Sequence, residues 1–302
     1  MIFLAKNEDR YQAVKETLDD LNPVIRGTIV IKPDLPGTDA ATGAFTQISF
    51  VRAVIDWARE RGNPKRIFIV ESAAEGHTQE IFRALGYDKL IQTIKDAKNI
   101  ELLDCNADKH YDIEFVDARG EKLVLPVSAT VIDADFVISL SLLKTHDHVA
   151  LGGALPNLSG FVVGAENKIR MHGFAGRKPN EMDDGELAMG AKAYSENLLT
   201  LYNLIEPDLA IVDGNGQEGN GPVKGTPKTT DLVIGGDDVL RVDALSARIM
   251  GFVPEDVPYL QVAEDNGLEP FAEDTVRGLE PDDVQVEFAP HKRMKQMQID
   301  AA

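Results

Sequence analysis

The sequence predicts an α/β fold built on a mainly parallel sheet with flanking helices. Apolar, β-branched runs at 27–33, 66–72 and 134–146 have the length of strands, and helical periodicity follows the first two at 45–62 and 78–91. Continuous apolar strands separated by helices are typical of a parallel sheet that is buried on both faces. The chain has 302 residues, of which 43% are hydrophobic, so it can bury a core of this size.

We expect one α/β domain over 1–302, with a β-rich subregion at 100–130. Short apolar runs at 100–104, 112–117 and 122–127 follow one another without an intervening helix. This spacing predicts antiparallel β-hairpins that are inserted beside the main sheet.

The second half of the chain continues the alternation of strands and helices. Apolar runs over 207–216 and 231–236 predict two further strands, and 237–251 predicts a helix that ends at a glycine. Short helices around 256–266 and a strand at 285–289 are expected near the C-terminus. Polar residues at the carboxyl ends of strands in such sheets are where ligands usually bind.

A long glycine-rich segment over 147–190 separates the predicted strands 134–146 and 207–216. It shows little regular periodicity. Segments of this kind in compact domains are usually binding loops or linkers. We therefore expect a lid-like segment here, with a glycine-rich linker as the alternative.

Composition excludes several classes of function. Lys+Arg 31 against Asp+Glu 50 gives a net charge of −19, which opposes binding to nucleic acid or to anionic lipid surfaces. The N-terminal residues lack the pattern of a signal peptide, and no segment has the length of an apolar membrane span. We expect a cytoplasmic protein that binds neither nucleic acid nor membranes, and homo-oligomerisation stays open.

Cys105 is the single cysteine of the chain. One thiolate cannot form an intrachain disulfide or hold an iron–sulfur cluster, which normally needs four protein thiolates. We therefore expect no intrachain iron–sulfur cluster, and the identity of any cofactor is open.

Lys144, His146 and His148 alternate at the end of the predicted strand 134–146, so their side chains project to the same face. Two imidazoles at this spacing could hold a divalent metal ion. Without a metal, Lys144 would bind an anionic group while a histidine transfers protons. Hydrogen-bonded structural histidines are the alternative. We rank His146 first among the catalytic or metal-binding candidates.

His172 lies in the glycine-rich segment close to Lys168 and Arg170. This group of donors suits a loop that closes over an anion, with His172 catalytic and Lys168 binding the ligand. A solvated charge cluster is the alternative.

Acidic candidates follow in the second half of the chain. Asp213 and Glu218 lie in a glycine-rich sequence directly after a predicted strand, and such glycines allow a backbone to approach a ligand closely. Asp213 is expected to accept a proton or to join His146 and His148 as a metal ligand, unless it caps a turn. Asp243 lies on an apolar helix face, where a carboxylate requires a partner.

The first β–α unit supplies further ligand-binding candidates. Lys32 ends the first predicted strand, Thr42 lies where the following helix opens, and Glu71 ends the second strand. Free backbone N–H groups at the start of a helix can bind an anion. Thr42 as a simple helix cap is the alternative.

Common catalytic signatures are missing from the sequence. There is no Gly-x-Ser-x-Gly elbow, His-Glu-x-x-His helix or kinase signature. Gly214, Gly216 and Gly219 match Gly-x-Gly-x-x-Gly, but no clear helix follows them, which argues against a Rossmann dinucleotide site.

Taken in order, the motifs resemble DUF362, a bacterial and archaeal family of unknown function whose members are often labelled iron–sulfur proteins. The resemblance covers roughly residues 25–270. It is based on IVIKPDLPG, TGAFT, IFIVES, DADFVISLSLLKTH, ALPNLSGFVVG with His172, IVDGNGQEGNGPVKGTP and GGDDVLRVDALSARIMG. It implies an α/β fold with a polar cleft formed by Lys32, Lys144, His146, His172, Asp213, Glu218 and Asp243. We also count Asn157 of ALPNLSG as ligand-binding.

This sequence departs from the family pattern in two ways. Family members commonly have a lysine where Pro156 stands here, so one cationic contact is missing and the substrate or activity can differ. Many members also carry a cysteine-rich ferredoxin module, which a chain with one cysteine does not contain.

The opposed charges of the candidate cleft favour an enzyme that acts on a small, anionic, oxygen-rich metabolite by general acid/base or metal-assisted proton transfer, of the lyase or isomerase type. One alternative is a redox accessory or metallocofactor-binding protein without its own iron–sulfur cluster. Another is a non-catalytic sensor of a small ligand. All three hypotheses use the same residues.

Overall fold

A computed structural model describes residues 1–37, 45–73, 77–173, 181–272 and 275–297. Twelve strands are present in these ranges. They are β1 (Ile2–Lys6), β2 (Thr28–Pro33), β3 (Arg66–Glu71), β4 (Ile100–Asp104), β5 (His110–Val116), β6 (Lys122–Ser128), β7 (Phe136–His146), β8 (Ala150–Gly152), β9 (Leu209–Glu218), β10 (Thr226–Lys228), β11 (Leu232–Gly236) and β12 (Val276–Gly278).

The α-helices of the described ranges pack around these strands. They are α1 (Arg10–Leu21), α2 (Ile48–Arg61), α3 (Thr78–Ala84), α4 (Tyr87–Thr93), α5 (Ala129–Ile132), α6 (Ala154–Asn157), α7 (Ala165–Met171), α8 (Asp184–Ile205), α9 (Val239–Ile249), α10 (Pro258–Asp265) and α11 (Met294–Met297). No helix in the described ranges is long and apolar enough to cross a membrane.

The main sheet has ten strands and is mostly parallel, which confirms the predicted fold class. Its order is β12-β1-β11-β9-β7-β2-β3-β4, and the short strands β8 and β10 pair with β7 and β9. The five strands from β9 to β4 are all parallel to one another, whereas β11 is antiparallel to both of its neighbours. The carboxyl ends of the parallel strands therefore meet at one edge, where α/β proteins usually bind ligands.

The β-rich subregion at 100–130 is only partly a hairpin. β5 and β6 form a separate antiparallel pair, as expected, with Ile113 opposite Leu125. The prediction for 100–104 is wrong, because β4 pairs parallel to β3 at the edge of the main sheet. The helices α3 and α4 connect β3 to β4, so this part of the chain is a β–α–β unit.

Two predictions near the chain ends also need correction. Residues 285–289 do not form a strand, because their backbone pairs with the end of a helix: Val286 donates to Ile249 and Phe288 to Met250. Conversely, β1 was not predicted from the sequence. It lies between β11 and β12 in the sheet.

Each face of the sheet covers its own apolar core. Ile29 and Ile31 of β2 point to a core that contains Trp57 of α2, whereas Val30 points to the core that contains Leu198 of α8. This alternation with a period of two is what a strand produces. A residue's position in a strand therefore decides which face carries its side chain.

The described part of 147–190 is more regular than its sequence indicates. It contains β8, α6, a 3-10 helix at Leu158–Phe161, α7 and the start of α8. Leu151, Leu155 and Phe161 are completely buried. This segment therefore covers the carboxyl edge of the sheet with packed structure, and its irregular hydrophobic pattern arises from several short helices in succession.

Candidate functional site

The carboxyl edge of the sheet brings three histidines together. His146 ends β7, His148 follows in the turn to β8, and His172 comes directly after α7. The ring centroids of His148 and His172 are 4.6 Å apart, and those of His146 and His172 are 6.2 Å apart with ring planes within 9° of parallel. Tyr194 of α8 stacks on His172 at 4.0 Å. We call these three histidines and Tyr194 the histidine cluster.

Hydrogen bonds assign a different tautomer to two of these rings. The backbone N–H of His148 donates to Nδ1 of His146 at 3.1 Å, so a neutral His146 carries its proton on Nε2. Nδ1 of His172 lies 2.6 Å from the carbonyl oxygen of Lys168, which can only accept, so this Nδ1 carries the proton and Nε2 presents a lone pair. Burial lowers the pKa of His146 well below its usual value and that of His172 to about 3.

Asp147 lies between the two histidines of the β7–β8 turn. Its Oδ1 is 3.0 Å from Nδ1 of His148 and 3.6 Å from Nδ1 of His146. One ligand atom from each of these three residues can be chosen so that all lie within 4.8 Å of one another. Two imidazoles and one carboxylate are a common ligand set for divalent metals.

Buried ion pairs line the same edge. Lys144 of β7 pairs with Asp34, which follows β2, at 2.5 Å. Lys32 of β2 pairs with Glu71 of β3 at 2.7 Å, and its Nζ also donates to Oδ1 of Asn157 at 3.1 Å. Parallel pairing of β7, β2 and β3 places these charges side by side, so the structure brings the predicted Lys32, Glu71, Asn157 and Lys144 to one edge.

Lys168 is the next cationic residue of this group, and it differs from the other two lysines. Its side chain projects from α7 and only 6% of the residue is exposed. Burial lowers its pKa to about 8, while the charge of Glu71 opposes that shift.

Cys105 is completely buried, and burial raises the pKa of its thiol to about 12. The thiol is therefore protonated and unreactive at neutral pH.

Comparison with known proteins places this architecture in a family. The model of DUF362, "Domain of unknown function", matches residues 29–248, which is well over half of the chain. The chain belongs to the DUF362 family. This confirms the resemblance inferred from the sequence motifs.

This DUF362 protein is also similar to individual proteins. It is 28% identical over 254 residues to a thylakoid-associated protein of Synechocystis sp., covering 81% of this chain and 69% of that protein. Its fold is similar to that of the lactate racemase apoprotein from Thermoanaerobacterium thermosaccharolyticum, with a TM-score of 0.51 and 11% identity. That match covers 82% of this chain but 57% of the racemase, so this chain spans little more than half of that protein.

The DUF362 protein does not place Asp213 in the histidine cluster, so the expected metal set of His146, His148 and Asp213 is wrong. Asp213 shares its sheet face with Leu209 and Ile211, which is the face opposite to that of Val30. There it forms a buried ion pair of 2.5 Å with Arg10 of α1.

The reason lies in the path of β9. The sequence places Asp213 at a strand end, but β9 continues to Glu218 because the glycines fit closely against β7. A Cβ at Gly216 would lie 1.6 Å from the carbonyl oxygen of Leu143, and one at Gly221 would lie 1.8 Å from that of Thr145. These glycines therefore allow the backbone at Gly216 and Gly221 to lie close to β7. The expectation that they let the backbone approach a ligand is wrong.

Glu218 and Asp243 have structural partners instead of an open position in the cleft. Glu218 pairs with Lys228 at 2.9 Å on the neighbouring strand. Asp243 is completely buried and accepts hydrogen bonds from the backbone of Ala154 and Leu155 and from the hydroxyl of Tyr259. It anchors α6, so its connection to the site runs through Asn157 at the end of that helix. Thr42 lies outside the described residues.

Sequence reasoning missed several residues of the site. Asp34 and Asp147 had a local signal, because Asp147 lies between His146 and His148 and Asp34 follows Lys32 by two residues. Tyr194 had none, since it lies on the apolar face of α8. His291 is close enough to Asp147 and His148 for their charges to act on its pKa, which burial lowers overall. Its proximity depends on the course of the C-terminal segment, which no local pattern indicates.

Proposed function

We propose that this protein is a proton-transfer enzyme of the isomerase or lyase type, acting on a small, anionic, oxygen-rich metabolite. The observation that carries this proposal is the complementary protonation of His146 and His172. Nε2 of His146 is a donor and Nε2 of His172 is an acceptor, because each Nδ1 is committed to a backbone group. An acid and a base on nearly parallel rings are the pair that moving a proton off and onto carbon requires.

The surroundings favour this chemistry. Both rings are enclosed and neutral. The low pKa of His172 disfavours its protonated form, so the negative charge of an anionic substrate has to stabilise that form when His172 takes up a proton. Lys144 lies on the strand that carries His146, and its charge would stabilise a developing enolate or carboxylate. The fold is similar to that of a lactate racemase apoprotein, whose name indicates a small carboxylate as its substrate.

The test is deuterium exchange in D2O, followed by proton NMR, with a panel of 2-hydroxy, 2-oxo and 2,3-dihydroxy carboxylates. We expect the protein to exchange a carbon-bound proton of at least one compound faster than buffer does. His146→Gln and His172→Gln should each slow this exchange roughly 10²- to 10⁴-fold. His110→Gln is the matched control, since His110 is exposed on β5. Absence of exchange with every compound, or full exchange by both variants, would contradict the proposal.

A second candidate function, binding of a divalent metal or metallocofactor, is supported by the ligand set of His146, Asp147 and His148. Elemental analysis of protein purified aerobically and anaerobically tests it. Stoichiometric metal that is lost in His148→Gln would favour this function, and protein that exchanges protons at full rate without metal would argue against it.

A further inference from the structure

Lys168 is a largely buried lysine whose ammonium group has no ion-pair partner among the described residues. Only 6% of the residue is exposed, and Nζ has no hydrogen bond in those ranges, although the Nζ atom itself is not fully enclosed. A buried charge without a partner is strongly unfavourable unless another group supplies one. This position therefore calls for a bound anion.

The neighbouring carboxylates act on Lys168 through their charges, without forming an ion pair with it. Oε2 of Glu71 already accepts from Lys32 and from the backbone of Leu35, and its Oε1 accepts from the backbone of Ser72. Asp104 is half-buried, and its carboxylate accepts from the backbone of Asn106. Glu71 is therefore committed to Lys32, and Asp104 contributes a negative charge that is not in ion-pair contact with Lys168.

This arrangement is tightly packed. A Cβ at Gly160 would lie 2.3 Å from Cε of Lys32 and 2.7 Å from Oε1 of Glu71, so the backbone of the 3-10 helix lies directly against this ion pair. Glu71 cannot easily rotate away to pair with Lys168 instead. The ammonium group of Lys168 therefore stays without an ion-pair partner among the described residues.

Lys168 is also connected to the histidine cluster. It precedes His172 by four residues on α7, so the two side chains leave the same face of the helix, about 6 Å apart along its axis. The carbonyl of Lys168 fixes the tautomer of His172. The pKa of the His172 ring is lowered mainly by burial, and the charge of Lys168 also acts on the ring and lowers this pKa further.

We propose that Lys168 binds the carboxylate of a small monocarboxylic acid, and that this group is the recognition element of the substrate. This inference rests on the proposed function and names its substrate class. A single ammonium group without an ion-pair partner matches a monoanion better than a phosphate dianion. A charge-assisted hydrogen bond to the carboxylate would satisfy the ammonium group.

The test uses calorimetry with L-lactate and pyruvate as probes, and with lactamide and inorganic phosphate for comparison. We expect the wild-type protein to bind at least one of the two carboxylates and to bind lactamide and phosphate more weakly. Lys168→Met should weaken carboxylate binding roughly 10- to 100-fold. Lys192→Met is the matched control, because Lys192 is exposed on α8.

Thermal unfolding without ligand gives an independent readout. Lys168→Met removes a largely buried charge that has no ion-pair partner and keeps most of the volume, so its Tm should equal or exceed that of the wild-type protein. A structural lysine would give the opposite result. Added carboxylate should raise the Tm of the wild-type protein and leave that of Lys168→Met unchanged.

Several results would overturn this inference: no binding of either carboxylate, equal binding of lactamide or phosphate, unchanged binding by Lys168→Met, or a lower Tm of that variant. Binding is measured without turnover, so its failure differs from that of the proposed function. If a carboxylate binds through Lys168 but exchanges no proton, the proton-transfer proposal fails while this one stands. If Lys168→Met still exchanges protons, the proton-transfer proposal stands, and the proposal that Lys168 binds the substrate carboxylate fails.

Discussion

Oδ1 of Asp243 lies 2.6 Å from the backbone nitrogen of Ala154, so a side chain of α9 holds the first residue of α6. Oδ2 accepts from Leu155 at 2.9 Å and from the hydroxyl of Tyr259 at 3.0 Å. α6 ends at Asn157, which contacts Lys32. Asp243, which lies outside the buried ion pairs, thus determines the position of the Asn157 amide beside Lys32.

Asp243→Ala should be strongly destabilising, because it leaves two buried backbone N–H groups and one hydroxyl without an acceptor. We expect a loss of about 3–5 kcal/mol in the free energy of unfolding, measured by urea denaturation. Asp283→Ala is the control, since Asp283 is exposed and should change stability by less than about 0.5 kcal/mol. Equal stability of the two variants would mean that these hydrogen bonds do not form.

The tautomers of the two histidines can be observed directly. Long-range ¹⁵N–¹H correlation spectra should show His146 protonated at Nε2 and His172 protonated at Nδ1, because Nδ1 of His146 accepts from a backbone N–H and Nδ1 of His172 donates to a backbone carbonyl. His146→Gln and His172→Gln serve to assign the signals. Identical tautomers in both rings would remove the basis for one acid and one base.

Gly216 should not tolerate even a methyl group. The Cβ of Gly216→Ala would lie 1.6 Å from the carbonyl oxygen of Leu143, so β9 must shift away from the strand that carries His146. We expect a loss of at least about 1–3 kcal/mol in thermal or urea unfolding. Gly37→Ala is the matched control, since nothing lies within 4 Å of its added Cβ. A stable Gly216→Ala protein would show that β7 and β9 are not in close contact.

Asp213 should make stability depend on pH in a defined window. Burial raises its pKa to about 6, although the charge of Arg10 opposes the shift. The pKa of an Asp in the unfolded chain is about 4. Between this pH and the folded pKa, the folded protein binds the proton of Asp213 more tightly than the unfolded chain does. The contribution of Asp213 to stability is therefore present in full below pH 4 and is lost as the pH rises to 6, by about 3 kcal/mol.

This effect is measured as the difference in unfolding free energy between the wild-type protein and Asp213→Asn from pH 4 to 7. As the pH rises, the wild-type protein should lose stability relative to Asp213→Asn, because an amide does not titrate. Asp282→Asn, at an 81% exposed side chain, should show no such trend. A difference that stays constant with pH would place the pKa of Asp213 at its ordinary value.

Much of the fold could be predicted because local patterns determine it. The apolar runs that became β2, β3 and β7 lie in a parallel sheet, and their carboxyl ends meet at one edge. The ion pair between Lys32 and Glu71 follows from this geometry, since both residues end neighbouring strands. Local sequence was sufficient wherever a residue's position depended on its own strand.

The errors arise where position depends on distant contacts. Asp213 was assigned to a strand end, but packing of Gly216 against β7 extends the strand and leaves Asp213 on the opposite face. Tyr194 reaches the histidine cluster because α8 packs across that edge, which its apolar pattern cannot distinguish from ordinary core packing. Long-range register and helix placement are therefore the missing information.

The burial of Cys105 gives the protein a natural reporter of its own opening. A thiol that is fully enclosed and whose pKa burial raises to about 12 cannot react with a maleimide or a disulfide reagent while the core stays closed. Because the chain has one cysteine, every labelled molecule has exposed Cys105. The labelling rate thus measures how often the strand ends beside Lys168 separate, in unmodified protein and without an added probe.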